Sequence, residues 1–297
     1  MGEARNAIIL TSGGVDSITT AFYVYKKLAV PKLLLLFCDY GQRTASEERY
    51  CVSRIAQIMK SGLITVDITW LGRLSTSLLT KPGVAIPETR MEELNDIEKA
   101  KKRMQWWWDP VRNALLGLVA LAHAESLYLS KGERYDIYFG IRRETPVAMR
   151  DNTPEFINAL NALQEHATFH GGYRFHAPLI GYDKDAVVKL GEELSVPWQF
   201  TYSCYAGGLG FTKHNGDRVP IHCGRCSNCK RRALAFLKAG VEDPTYYAVK
   251  PEVSITRAPS LRCPYCLSAF EDEKELSRHI DRVHIGSGLL EGDVRKW

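Results

Sequence analysis

The hexapeptide Ser12-Gly13-Gly14-Val15-Asp16-Ser17 offers the first chemistry along this 297-residue chain. Two adjacent glycines let the backbone adopt conformations closed to other residues, so several N–H groups can converge on one anion. A helix beginning there adds the positive end of its dipole. Ser12 and Ser17 bring hydroxyl donors, and Asp16 is suited to hold Mg²⁺ or to cap the helix. These residues suit the gripping of a phosphate, although an ordinary Gly-rich turn capped by Asp16 or Ser17 uses the same letters. A Walker loop is excluded, because no Gly-Lys-Ser/Thr follows.

Cysteines and histidines supply two further clusters. Cys204, Cys223, Cys226 and Cys229 are spaced C-x18-C-x2-C-x2-C. Four thiolates complete a closed structural zinc site, and the short spacings let neighbouring sulfurs reach one ion. His214 and His222 lie within that loop and are expected to face solvent or support the ligands rather than join them. Cys263-x2-Cys266-x12-His279-x4-His284 has the spacing of a C2H2 zinc finger, with Phe270 and Leu276 as its small core. A module this short cannot fold on hydrophobic burial alone, so a second structural Zn²⁺ is expected. Residues 257–297 carry seven Lys/Arg against seven Asp/Glu. With Leu276 at helix position 4, Asp272, Glu275 and Arg278 take the base-reading positions. Two acids there repel phosphates, which argues against DNA and for protein docking or self-capping. Cys38 and Cys51 read as buried packing residues.

The phosphate loop needs a strand before it and a helix after it. Ala7-Ile8-Ile9-Leu10 is a short apolar run with β-branched residues, and a helical pattern follows from Asp16 to about Leu28. Leu33 to Phe37 is a second continuous apolar run, as for a strand buried on both faces. Strand, helix, strand in that span is a parallel βαβ unit. Residues 43–61 read as helix, 63–66 as strand, 113–130 as helix and 137–139 as strand. Helices follow over 154–164 and 184–194. The alternation predicts an α/β fold with a doubly wound parallel sheet over about 1–200. Residues 82–104 read as an exposed polar excursion. From about Thr201 periodicity gives way to Gly, His and Cys, and a Pro-containing stretch near 243–260 reads as a linker.

Composition bounds the class. Hydrophobic residues are 45% and charged residues 25%, which excludes a chain disordered over most of its length. The longest apolar run, 114–122, is far short of the roughly 18 to 20 residues that span a bilayer. No secretory signal pattern is present, so a cytoplasmic setting with reduced thiols is expected. Lys plus Arg exceeds Asp plus Glu by 39 − 34 = +5, an excess that suits a phosphate-bearing ligand but falls short of a nucleic-acid coat.

The hexapeptide resembles the PP-loop of N-type ATP pyrophosphatases, and further segments resemble the QueC family, the 7-cyano-7-deazaguanine synthases of the queuosine pathway. The matching pieces are Ser12–Ser17, Asp39-Tyr40-Gly41-Gln42-Arg43, Pro110-Val111-Arg112-Asn113, Asp151 with Pro154-Glu155-Phe156-Ile157, His176-Ala177-Pro178-Leu179 with Lys184, and Ser203-Cys204-Tyr205 with the later cysteines. They occur in the family's order over roughly 7–245. The resemblance implies an adenine nucleotide alpha hydrolase-like fold and an ATP-dependent C–N ligase, dimeric as its relatives are. It divides the chain into a PP-loop domain (1–200), a four-cysteine region closing the site (201–245), a linker (246–260) and a finger with tail (261–297). ATP and Mg²⁺ would meet Ser12–Ser17 and Asp39–Gln42. Asp16, Lys184 and Arg112 would serve catalysis, Lys184 as a point charge for the phosphates. The substrate would be a deazapurine carboxylate, with ammonia or another amine as nitrogen donor.

Two departures from the family pattern stand out. Between Gly140 and Pro154 the family carries an Asn and an Asp facing the substrate, where this chain has Arg142 and Thr145, while Asp151 matches. Arg142, Arg143, Asp151 and Trp108 are accordingly the candidate substrate contacts, with Trp108, from the run Trp106-Trp107-Trp108, either stacking a purine or simply packing. An altered base edge changes which partners a site rejects. QueC-like proteins of antiviral gene clusters, type IV CBASS among them, point to an alternative: joining the deazapurine to a protein amine or a nucleotide. A non-catalytic zinc-finger adaptor and a sulfur-inserting enzyme are further readings. The intact loop argues against the first, and cysteines committed to zinc argue against the second.

Overall fold

The computed structural model of the chain describes residues 5–94, 97–142, 149–254, 261–265, 268–270 and 273–285. Arg143, Thr145, Cys266 and Asp272 lie outside the described residues. Five strands form one parallel sheet in the order β3-β2-β1-β4-β5. They are β1 (Asn6–Leu10), β2 (Leu33–Asp39), β3 (Gly62–Asp67), β4 (Tyr135–Phe139) and the two-residue β5 (Phe175–His176). The central strands are continuous apolar runs because helices cover both faces.

Alternate residues of β1 and β2 serve two separate cores. Ala7, Ile9, Leu35 and Phe37 pack with α1 (Val15–Tyr23), α2 (Ala45–Met59) and α7 (Lys184–Glu193). Ile8, Leu10, Leu36 and Cys38 face the other way, onto α5 (Arg112–Lys131) and α6 (Pro154–Ala167). The order of strands reverses between β1 and β4. In an open parallel sheet, a crevice beyond the C-terminal strand ends at such a switch point is where ligands bind.

Elsewhere the structure departs from the sequence reading. The polar stretch 82–104 contains the start of a helix, α4 (Ile97–Trp107), after the short α3 (Trp70–Leu74). Its Lys, Glu, Arg, Gln and Met are good helix formers, so polarity there marks an exposed helix face rather than a loop. Beyond Thr201 a hairpin forms from β6 (Phe211–His214) and β7 (Asp217–Pro220), turning on Asn215 and Gly216, both at positive φ. It is followed by α8 (Ser227–Ala239), which packs on α7 and ends at Gly240 with φ 70°. The C-terminal module is a hairpin of β8 (Leu261–Arg262) and β9 (Ala269–Phe270), then α9 (Glu273–Ile280). Among the described residues no helix is long and apolar enough to cross a membrane.

Gly140, just past β4, lies directly against the start of α1. A Cβ there would stand 2.3 Å from Ser17 Cα and 2.7 Å from Ser17 N, which is backbone that cannot turn aside. Gly140→Ala is expected to push the first turn of α1 off the sheet and cost roughly 1–3 kcal/mol of stability. Chemical denaturation with an unchanged slope and a lower midpoint would record it.

Candidate active site at the carboxyl ends of the strands

The loop between β1 and α1 is shaped by its own side chains. Gly13 has φ 74°, and a Cβ there would sit 3.0 Å from the Glu48 carbonyl oxygen. Ser17 Oγ accepts the Ser12 N–H at 3.2 Å and donates to the Gly14 oxygen at 3.1 Å, closing the turn on itself. Gly14 stands at the N-cap, where it provides no side chain to cap the helix. The dipole end of α1 therefore points into open space at the sheet's switch point.

Three charges meet over this turn. Lys184, the first residue of α7, places Nζ 2.6 Å from Asp16 Oδ2, and Arg142 Nε stands 3.4 Å from the same oxygen. Burial pushes the Asp16 carboxyl up, but the two cations outweigh it, so the group lies below its ordinary range and stays ionised. Asp16 Oδ1 is buried with no hydrogen-bond partner. Across the cavity, Arg112 donates from Nη1 to Asp109 at 3.2 Å and to the Tyr40 hydroxyl at 3.4 Å. Arg112 follows Val111, whose φ of 61° is a left-handed conformation rare for a β-branched residue.

Ser12, Gly14, Val15, Asp16, Ser17, Tyr40, Gln42, Arg112, Arg142 and Lys184 line a single cavity of about 290 Å³. Gly13, Asp39 and Gly41 stand behind that lining: Gly13 accepts the Tyr202 N–H at 2.8 Å, while Asp39 accepts the Gly41 N–H and pairs with Arg49. Trp107, not Trp108, faces the cavity. Trp107 is the last residue of α4 and Trp108 lies past its end; the Trp107 ring meets that of Tyr205 with centroids 4.5 Å apart. Asp151 is also off the cavity, and burial pushes its carboxyl up against the pull of Arg112.

One lining acid escaped the sequence reading. Glu48 on α2 accepts from Thr44 Oγ1 at 2.6 Å and Gln42 Nε2 at 3.0 Å. The cue was its one-turn spacing from Thr44, just after the Tyr-Gly-Gln segment.

The far wall is held by cysteines. The sulfurs of Cys204, Cys223, Cys226 and Cys229 lie within 4.8 Å of one another. Backbone N–H groups of Tyr205, Ala206, Cys223, Arg225, Cys226 and Cys229 point at them over 3.3–3.5 Å. Donors gathered around sulfur suit thiolates, so the set fits a tetrahedral Zn²⁺. His222 is buried rather than solvent-facing; its Nε2 accepts the Ser203 N–H at 3.0 Å. Arg232 of α8, fully buried, bonds Thr201 Oγ1, Ser203 Oγ, the Trp198 oxygen and Asp243. Asn228 donates to the Ser203 oxygen at 2.7 Å and also lines the cavity. Segment 201–205 is thereby pressed onto the phosphate loop.

The family model described as queuosine biosynthesis protein QueC matches residues 6–240, four-fifths of the chain. This chain belongs to the QueC family. A 7-cyano-7-deazaguanine synthase of Methanocaldococcus jannaschii is 37% identical over 247 residues, covering 81% of this chain and 98% of that protein. One from Methanococcus maripaludis is 34% identical over 249 residues, covering 82% and 99%. Among solved structures, a U34-tRNA thiolase NcsA of Methanococcus maripaludis with its [4Fe-4S] cluster overlays with a TM-score of 0.38 at 12% identity, over 65% of this chain and 57% of that one.

The QueC match ends before the C-terminal module. There Cys263, His279 and His284 bring ligand atoms within 4.8 Å of one another, and Phe270 packs its ring on His279 at 4.6 Å.

Within the QueC cavity Glu48 yields a signed prediction. Burial pushes its carboxyl up, against the bonds from Thr44 and Gln42. Such a group contributes stability fully below its unfolded pKa of about 4.3, and loses it as pH rises through the folded value. Glu48→Gln removes the charge, so its melting temperature relative to wild type is expected to climb as pH rises above the unfolded value of about 4.3. A difference that stays flat with pH would contradict this.

Proposed function

We propose that this protein is an ATP-dependent C–N ligase that activates the carboxylate of 7-carboxy-7-deazaguanine and joins it to ammonia, with the amide then dehydrated to 7-cyano-7-deazaguanine. The observation that carries the reading is the contact of Lys184 Nζ with Asp16 at 2.6 Å, inside the Ser12–Ser17 loop and across 168 positions of sequence. It gathers a helix dipole, loop N–H groups and a cation around one anion site.

The residues divide the work by position. Loop N–H groups and the hydroxyls of Ser12 and Ser17 bind the polyphosphate, and Lys184 neutralises charge that grows as pyrophosphate departs. The buried, partnerless Asp16 Oδ1 fits a Mg²⁺ ion, which when bound neutralises phosphate oxygens. Arg112, held in place by Asp109 and the Tyr40 hydroxyl, faces the cavity as the cation for the incoming carboxylate. The carboxylate oxygen bonds the α-phosphorus as the bond to pyrophosphate breaks. Ammonia then takes the carbonyl carbon, AMP leaves and a proton is lost from nitrogen, giving the amide. A second ATP activates the amide oxygen in the same way, with loss of pyrophosphate. Departure of that oxygen as AMP, with loss of two N–H protons, gives the nitrile. Trp107, packed on Tyr205 in the cavity lining, offers an aromatic face for the deazapurine. The Cys204, Cys223, Cys226 and Cys229 set is assigned a structural Zn²⁺, and the finger a second.

Arg142, which lines the cavity beside Asp16, is a substrate contact in this reading. A second reading, transfer of the activated deazapurine to a protein amine, is favoured by a C-terminal module that lies beyond the residues matched by the family model. Mass spectrometry of the product with ammonia or with a peptide amine separates the two.

ATP–pyrophosphate exchange that depends on the carboxylate tests the proposal. Lys184→Met and Asp16→Asn are each expected to lower exchange by about 10²–10³-fold. Exchange at the wild-type rate in both variants would remove the reading. Trp107→Ala is expected to raise the KM for the carboxylate about tenfold, as for one lost stacking contact. Trp108→Ala should leave it near wild type.

A further inference from the structure

Asp183 stands at the N-cap of α7, immediately before Lys184, yet its side chain does not cap the helix it heads. A carboxylate at that position ordinarily accepts an N–H of the first turn. Here Oδ2 instead lies 2.9 Å from Nδ1 of His279, on α9 of the C-terminal module. The His279 side chain is 1% exposed and that of Asp183 17%, so the imidazole side of the contact is shielded from water. A carboxylate can only accept, which places the proton on Nδ1 and leaves Nε2 with its lone pair. Cys263 and His284 are gathered on the same imidazole. The donor set therefore fits Zn²⁺, with Asp183 in the role of the carboxylate that orients a metal-bound histidine and raises its basicity.

We propose that the finger is a strap docked on its own enzyme: zinc held by Cys263, His279 and His284 fixes, through Asp183, the start of α7 and so the position of Lys184 over the phosphate loop. Asp183 is a positioning residue, since the next residue along the chain makes the 2.6 Å contact with Asp16. The seven-to-seven balance of Lys/Arg and Asp/Glu over residues 257–297 agrees with a module that seats on protein rather than on nucleic acid. The inference rests on the proposed function only for the consequence at ATP. The metal linkage stands apart from turnover.

The test uses the full-length protein carrying both zinc ions. Asp183→Asn keeps a good N-cap residue, so loss of helix capping does not confuse the outcome. Competition with a chromogenic chelator is expected to show one of the two zinc ions held about 10–100-fold more weakly in this variant. Cys263→Ser, which lacks a finger ligand, identifies that ion. Hydrogen exchange at the first turn of α7 is expected to quicken in both variants while α5 is unchanged, and the KM for ATP to rise with it. Retention of both zinc ions by Asp183→Asn as tightly as by wild type would overturn the proposal. So would unchanged exchange at α7 in Cys263→Ser. Neither readout requires the carboxylate substrate, so failure of the ligase reading and failure of the strap are told apart.

Discussion

The Lys184–Asp16 pair is the contact around which this molecule is organised. Asp16 sits where burial alone would favour its neutral form, and the ammonium and the Arg142 guanidinium reverse that preference. The pair joins two elements that enter the sheet far apart in sequence. It needs β1 to end where α1 begins, and it needs α7 to start directly above that turn. Each requirement is met by packing elsewhere: Val187 and Val188 of α7 share a core with Ile18 of α1 and Ile9 of β1. The charged contact contributes little to stability by itself and much to aim, because the apolar layer beneath it has already fixed both backbones.

The cysteine region extends the same logic to the opposite wall. Segment 201–205 is clamped from three directions: by the Tyr202 bond to Gly13, by the Arg232 network, and by Cys204 among the sulfurs. A metal held by the four sulfurs would have no open position for substrate. It would contribute rigidity in a stretch where Gly207, Gly208 and Gly210 all have positive φ.

Much of the site was legible in sequence because it rests on short-range rules. Buried central strands read as unbroken apolar runs, the double glycine announces a turn with converging N–H groups, and cysteines at ligand spacing announce themselves. What was illegible depends on distance or on phase. β5 is two residues long and acquires strand character only from its register with Ile137 and Tyr138. Trp107 and Trp108 are equivalent letters until the end of α4 is placed. Glu48 enters the cavity because α2 lies against Gly13, a contact that local pattern does not encode. The hairpin at 211–220 is a different case: Asn215-Gly216 was a readable turn signal, overshadowed by the cysteines on either side of it. Asp183 stands at an ordinary N-cap position, and only the fold reveals its longer reach.

Val111 carries a trade between robustness and precision. A valine in the left-handed region costs of the order of 1–2 kcal/mol relative to a relaxed backbone, and the residue after it is the arginine that faces the cavity. Glycine would sit there without steric penalty, and asparagine at a smaller one than valine. Optimising this chain for thermal endurance would therefore select against valine at the turn that leads into Arg112, and a sturdier variant found that way would present that guanidinium to the cavity from a looser backbone.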